Sequence, residues 1–461
     1  MAIDRIDSLE KMLKEDYVLQ DIQGIRAFLI EQGTFYFPSF DNGLFPAAIA
    51  ADAKNTGYKY VWVRDNVYVA YAHYVLGQPE VATKNLRALM SYFKKFRFRF
   101  EKVVDTQTKP YSVMERPNIR FDGRDLTEVD EQWEHAQNDA LGYFIWLYCK
   151  LHIEIKKETG GNLQQVFQQD DVEMLALFPL YFQAIRYWED EDSGHWEEGR
   201  KVEASSIGVV VAGLKALRSL FVEASFVTHC FQYKGKIVNL DLLDELIERG
   251  ISVLNNTLPS ECIQPQPNQR RYDGALLFLV YPLDIIRGEV AEQIISDVIT
   301  SLQGDFGIRR YLGDSFWCRD FQDLPKEIQT SIYTDRQKWL EDNNKAVVLG
   351  EEAQWCIFDP IISAIFGRRF QSSERKDDDL KKQIQYLNRS LKQVTAKGSR
   401  VKIKLTDGTE EFIEIEEFKC PELYYIQENR YTPNVSTPLL WTQANLIIAL
   451  EMMEQSLKQL I

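Results

Sequence analysis

Gly194-His195-Trp196-Glu197-Glu198 is a loop caught between two helical patterns, an aromatic-rich one over residues 172–188 and an apolar one over 204–221. On either side apolar residues recur at helical spacing, whereas the loop itself gathers an indole and two adjacent acids. The same unit, helix then polar-aromatic loop then helix, recurs along the chain. Helices are predicted over 8–31, 65–76, 79–98, 139–156, 172–188, 204–221, 240–256, 290–303, 326–343, 352–366 and 438–459. Helix-ending signals such as Gly77-Gln78-Pro79 punctuate them. The loops between are dense in Trp, Tyr, Asp, Glu, Arg and Asn, and catalytic groups commonly sit on loops held by a rigid scaffold. About a dozen antiparallel helices with such loops, and no repeated sequence period, predict an all-α toroid rather than a solenoid.

One segment departs from this pattern. Residues 372–395 are strongly charged and helical in character, with Lys376-Asp377-Asp378-Asp379-Leu380-Lys381-Lys382, and are followed by alternating residues on either side of Thr406-Asp407-Gly408-Thr409. Alternation around Asp-Gly predicts a β-hairpin. The stretch 372–418 is therefore read as an insertion, either an oligomer contact or, more simply, a solvated excursion.

Composition narrows the function classes. The 461 residues are 45% hydrophobic, enough for a large core, and no Pro/Gly/Ser-rich linker divides them, so one domain over 1–461 is expected. With 54 basic against 69 acidic residues the net charge is −15, which argues against nucleic-acid or anionic-membrane surfaces, since those need a basic patch. Met1-Ala2-Ile3-Asp4-Arg5 lacks the apolar core of a signal peptide, and no run reads as long and uncharged enough to span a bilayer, so a cytoplasmic protein is expected. Six scattered cysteines without CxxC spacing and five dispersed histidines predict reduced thiols and no metal site.

Three constellations could carry chemistry. Two carboxylates beside Trp196 suit a sugar site, because an indole wall that excludes water can keep one acid protonated; in an acidic protein the simpler reading is a surface turn. Tyr58-Lys59-Tyr60-Val61-Trp62-Val63-Arg64-Asp65 alternates aromatic residues as an extended segment would, ending in a donor and an acceptor for hydroxyls. Strand packing and a local ion pair would produce the same pattern. Trp133-Glu134-His135-Ala136-Gln137-Asn138-Asp139 sets Trp, Gln, Asn and Asp before another helix, where Asp139 alone would be a cap.

Taken in order, Tyr-x-Tyr-x-Trp-x-Arg-Asp (58–65), Trp-x-x-x-Gln-x-Asp (133–139) and Trp-Glu-Glu (196–198) followed by Ala204-Ser205-Ser206 resemble glucoamylases of glycoside hydrolase family 15. Arg310-Tyr311 with Asp314, Trp355, Pro421-Glu422-Leu423-Tyr424-Tyr425 and Pro438-Leu439-Leu440-Trp441 extend the resemblance over roughly residues 25 to 455. It implies an (α/α)6 barrel of six inner and six outer helices. It also implies Glu197 as general acid and Glu422 as general base of an inverting hydrolysis, with the two carboxyls about 6.5–9.5 Å apart. Arg64, Asp65, Arg310 and Glu198 match groups that hold sugar hydroxyls, Trp62, Trp133 and Trp355 match pocket walls, and Tyr58 matches a tyrosine near the catalytic water. Trp196, Asn138, Asp139 and Asp314 complete the candidate substrate-binding set.

Two departures stand out. Asn138 replaces an arginine of the fungal pattern, and Gly199 to Glu203 separates Trp-Glu-Glu from Ala-Ser-Ser more widely. In these features the chain resembles the barrel domain of phosphorylase kinase α and β subunits and their bacterial relatives. Two functions are therefore expected in competition. One is an exo-acting hydrolase releasing β-D-glucose from an α-glucan or α-glucoside, with neither metal nor organic cofactor. The other is a sugar-binding regulatory protein. A terpene-cyclase-like toroid fits less well, because the only Asp run, Asp377-Asp378-Asp379, lies in the charged insertion.

Overall fold

The computed structural model describes residues 7–49, 57–107, 112–160, 167–223, 231–319, 321, 324–325, 333–343, 349–372, 376–404 and 409–461. Among them, six helices close a ring: Val63–Val75, Asn138–Thr159, Ala204–Glu223, Leu276–Val280, Phe358–Ser372 and Leu440–Lys458. Each packs on the next, and Leu440–Lys458 returns to Val63–Val75. These helices are buried on nearly every side because neighbours surround them. Ala204–Glu223 illustrates this. By length and apolarity it could cross a bilayer, contrary to the sequence expectation that no run would, yet 72% of its most apolar window is buried inside the protein.

A second layer wraps the ring: Leu19–Glu31, Pro79–Lys95, Gln169–Ile185, Leu240–Thr257, Gly288–Asp297 and Lys376–Lys392. Leu240–Thr257 buries one face: Leu243, Leu246, Ile247, Gly250 and Leu254 point inward, and the Asn239 side chain caps the N-terminus by accepting from Leu242 N. The architecture is the (α/α)6 barrel. Inner helices come close where side chains are missing: a Cβ on Gly142 would stand 2.8 Å from the Val209 backbone, and one on Gly213 would stand 2.7 Å from the Gly142 carbonyl.

Several elements differ from the sequence reading. The 8–31 pattern breaks into Asp7–Glu10 and Leu19–Glu31 because Tyr17 Oη donates to Asn388 Oδ1 (2.6 Å) while Asn388 Nδ2 donates to the Lys14 carbonyl (2.8 Å), which pins the chain off the helix. The 352–366 pattern begins as a strand, Gln354–Trp355, because these residues pair with Tyr424 and Leu423. Of the 326–343 pattern, Tyr333–Asp342 is helical and 326–332 lies outside the described residues. The hairpin forms from Arg400–Lys404 and Glu410–Glu414, and its Asp407-Gly408 turn also lies outside them.

The helix predicted in the charged segment is not a solvated excursion. Lys376–Lys392 lies against Phe358–Ser372 and Leu440–Lys458 as the sixth outer helix. Its Ile384, Leu387 and Leu391 share an apolar cluster with Ile22, Ile25, Leu29, Leu450 and Met453. Of the charges that suggested an excursion, Asp377, Asp378, Lys381 and Lys382 occupy its outer face, while Asp379 is buried beside Arg369. Leu387 is fully buried, so Leu387→Ala is expected to cost about 2–5 kcal/mol, read as a lower denaturant midpoint; a loss under about 0.5 kcal/mol would restore the excursion reading.

Candidate active site

Arg64, Asp65, Asn138, Asp139, Glu197, Glu198 and Trp355 lie at or shortly before the N-terminal ends of inner helices, where backbone N–H groups carry a partial positive charge. Arg64 and Asp65 open Val63–Val75, Asn138 and Asp139 open Asn138–Thr159, and the loop carrying Glu197 and Glu198 leads into Ala204–Glu223. Trp355 precedes Phe358–Ser372, and Glu422 precedes both the strand Leu423–Gln427 and the last helix. Cys356 N donates to the Glu422 carbonyl at 2.9 Å, which fixes the position of Glu422 beside Trp355.

The loop bearing Glu197 is closed on itself. Asp192 and Lys201 exchange backbone hydrogen bonds at 2.9 and 3.0 Å, and Ser193 N donates to the Ala136 carbonyl at 2.6 Å. At its tip Glu197 has φ +59, a left-handed conformation that costs a non-glycine residue of order 1–3 kcal/mol and is typical of functional sites. Gly194 allows the turn, since its φ is +52 and a Cβ there would collide with the Glu203 carboxylate.

Glu197 is buried. Its Oε1 accepts from Trp62 Nε1 (2.8 Å) and Arg64 Nη2 (3.2 Å). Burial raises its carboxyl above the usual range, against the pull of Arg64, Arg120 and the Trp62 bond. With Oε1 doubly occupied, Oε2 is the oxygen left to carry a proton. Glu422 is equally buried: Oε1 accepts from Tyr58 Oη (2.6 Å) and Oε2 from Asn434 Nδ2. Burial pushes it up to about 7, although both donors favour its ionised form. Tyr58 and Trp62, ring centres 5.5 Å apart, thus each hold one carboxyl from the same short segment.

Arg64 also donates from Nη1 to Asp139 Oδ2 (2.9 Å) and Gln137 Oε1 (3.2 Å). Asp65 accepts from no other side chain among the described residues, and burial lifts it to about 7. Glu198 behaves oppositely. Arg310 Nη2 (3.0 Å), Tyr311 Oη (2.6 Å) and Arg270 Nη2 (3.1 Å) all donate to it, and despite burial the surrounding cations hold it down at about 2. Arg310 is gripped by both Asp314 oxygens at 2.7 Å and faces the rings of Trp355 (4.9 Å) and Trp196 (5.2 Å). Trp133 meets Trp62 edge-on at 5.9 Å.

The structure brings Tyr58, Trp62, Arg64, Asp139, Glu197 and Glu422 into one bonded or stacked group, and Trp196, Glu198, Arg310, Asp314 and Trp355 into another. Asn138 joins neither. Its Nδ2 donates to Asp190 (2.9 Å), the partner of buried Arg116, so this side chain holds the base of the Glu197 loop. Sequence reasoning did not single out Arg270, Arg120 or Asn434 for the site. Arg270 lies 3.4 Å from the centre of the Tyr311 ring, a stack that no spacing reveals. Among the described residues no group of His, Cys, Asp and Glu is arranged to hold a metal ion.

The sequence profile of glycosyl hydrolases family 15 matches residues 29–349. The probable phosphorylase b kinase regulatory subunit alpha of Caenorhabditis elegans is 23% identical over 419 residues, 84% of this chain and 30% of that one. The skeletal muscle isoform of Oryctolagus cuniculus is 25% identical over 333 residues, 67% of this chain and 24% of that one. The chain thus spans less than a third of the length of these curated relatives. Among solved structures, a wild-type glycosidase superposes with a TM-score of 0.60 at 15% identity, covering 98% of this chain and 99% of that one. The glucoamylase of Saccharomycopsis fibuligera gives 0.59 at 12% identity, covering 100% and 98%.

Proposed function

The chain belongs to glycosyl hydrolases family 15, and from that premise we propose that it is an inverting, exo-acting glycoside hydrolase that releases β-D-glucose from the non-reducing end of an α-glucan or α-glucoside. One observation carries the reading: two buried carboxyls, Glu197 and Glu422, each held by a different aromatic residue of the 58–62 segment. Glu197 delivers the proton on Oε2 to the glycosidic oxygen as its bond to the anomeric carbon breaks. Glu422 takes a proton from the water whose oxygen forms the new bond on the opposite face. Arg64 and Asp65 beside the acid, and Arg310 behind Glu198, offer donors and acceptors for hydroxyls, and Trp62, Trp133 and Trp355 offer apolar faces for the ring. Neither step calls for a cofactor.

The carboxyl environments set the pH dependence. kcat/KM is lost as pH falls through the value of Glu422, about 7, and as it rises through that of Glu197, itself raised by burial. The acidic limb is therefore expected near pH 7, and an acidic limb near pH 4 would contradict it. Tyr58→Phe removes a donor that favours ionised Glu422, so its acidic limb is expected to move to higher pH, with a loss of about tenfold or more in kcat. A pH–rate profile of the two proteins checks both statements.

Glucose release from maltose, maltotriose, isomaltose, trehalose and soluble glycogen, with Glu197→Gln as control, tests the proposal and names the linkage. The regulatory relatives favour a second reading, a barrel that binds sugar without cleaving it. Sugar-dependent thermal stabilisation with no release from any substrate would select that reading.

A further inference from the structure

Arg120 stands on the middle strand of a three-stranded sheet made of Val61–Trp62, Arg120–Asp122 and Thr127–Glu128, directly opposite Trp62. Its guanidinium carbon lies 4.0 Å from the centre of the Trp133 ring, 4.8 Å from Tyr60 and 5.1 Å from Trp62. Its side chain is 3% exposed, and Nη1 and Nη2 both donate to Glu131 Oε2 at 3.0 Å, a carboxylate whose own side chain is 52% exposed. The chain ahead of Tyr58 is fitted around the same group. A Cβ on Gly57 would come within 2.5 Å of Nη2, and φ there is +78. One cation therefore ties together three separately encoded pieces of the wall: the 57–62 segment, the sheet and the Trp133 loop.

The charged and titratable groups bearing on Glu197 come from several elements. Arg64 and Asp65 come from Val63–Val75, Asp139 from Asn138–Thr159, Tyr58 from the segment before the sheet, and Arg120 from the sheet itself. Arg64 is committed to Asp139 and Gln137 as well as to Glu197. Arg120 is tied to Glu131, at the solvent-exposed edge of the wall. We propose that Arg120 is a positioning residue for the acid: it clamps Trp62 against Trp133 so that the indole N–H stays aimed at Glu197 Oε1, and it supplies a second cation to the surroundings of Glu197. The flat guanidinium does both jobs, and an ammonium would keep only the charge.

This rests on the hydrolase reading for the role of Glu197, and the test separates the two. Arg120→Gln removes the stack and the charge, so the basic limb of kcat/KM is expected to rise by about half a pH unit and kcat to fall about tenfold. Arg120→Lys keeps the charge, so the limb stays near its wild-type position while kcat still falls. Glu131→Gln, at an exposed position where folding is not at stake, unmasks the cation and moves the limb down. The same titration is read without turnover from tryptophan fluorescence, with Trp62→Phe identifying the signal of the indole bonded to Glu197. Opposite shifts in Arg120→Gln and Glu131→Gln are the expected result. An unmoved titration in Glu131→Gln, or equal shifts in Arg120→Gln and Arg120→Lys, would overturn the proposal. Absence of glucose release from every substrate, with the fluorescence shifts intact, would count against the hydrolase reading alone.

Discussion

Glu197→Gln and Glu422→Gln are each expected to lower kcat on a natural glucoside by about a thousandfold or more while leaving the fold intact. Glutamine keeps the shape of the side chain and an oxygen that can accept from Trp62 Nε1 at position 197, or from Tyr58 Oη at position 422. What is lost is the proton in one case and the base in the other. Leaving-group chemistry tells the roles apart. On α-D-glucosyl fluoride, whose leaving group needs little protonation, Glu197→Gln is expected to recover most of its activity. Glu422→Gln is expected to stay inactive, because the water still lacks a base. Kinetics on the two substrates decide the matter, and equal losses on both in the two variants would reverse or cancel the assignment.

A large effect on stability is expected at a place remote from the reacting atoms. Arg116 and Asp190 are both fully buried and joined by two hydrogen bonds, 2.5 and 3.0 Å. Asp190 also accepts from Asn138, and the neighbouring Asp192 accepts from the Asn138 backbone N–H at 2.9 Å. Burial, followed by nearby Glu203, Asp139 and Asp190, already drives Asp192 far above the usual carboxylate range. Arg116→Met would remove the guanidinium that donates twice to Asp190 beside that acid, at a cost of about 3–5 kcal/mol. Denaturant unfolding is expected to show this, and adding Asp190→Asn should return much of it because the charge that Arg116 balanced disappears. A single-variant loss below about 1 kcal/mol would mean that the pair does not hold the base of the Glu197 loop.

The barrel was legible because its inner helices are long and apolar and its loops carry the polar aromatic clusters. Leu276–Val280 escaped notice because five residues are too few to show a helical period. The sixth outer helix is masked for a different reason: Lys376–Lys392 carries so many charges that they hide its buried stripe of Ile384, Leu387 and Leu391. In the site, motif order pointed to Tyr58, Trp62, Arg64, Glu197 and Glu422. It could not say which way a side chain turns, and Asn138 turns toward Asp190. Asn434 reaches Glu422 only because the strands Leu423–Gln427 and Arg430–Pro433 fold back on each other, a hairpin that the sequence pattern did not announce. Arg120 was invisible because its significance lies in strand register and ring stacking, neither of which is written in local spacing.

The central claim is that Glu197 and Glu422 act from opposite faces of a glucosyl bond, and the anomer of the first-formed product tests it most directly. Proton NMR of glucose released within the first minutes, before mutarotation, is expected to show the β anomer from whichever α-linked substrate is cleaved, and none with Glu197→Gln. α-Glucose as the initial product would contradict the account, since it would require a covalent intermediate on a carboxylate where this account places a water.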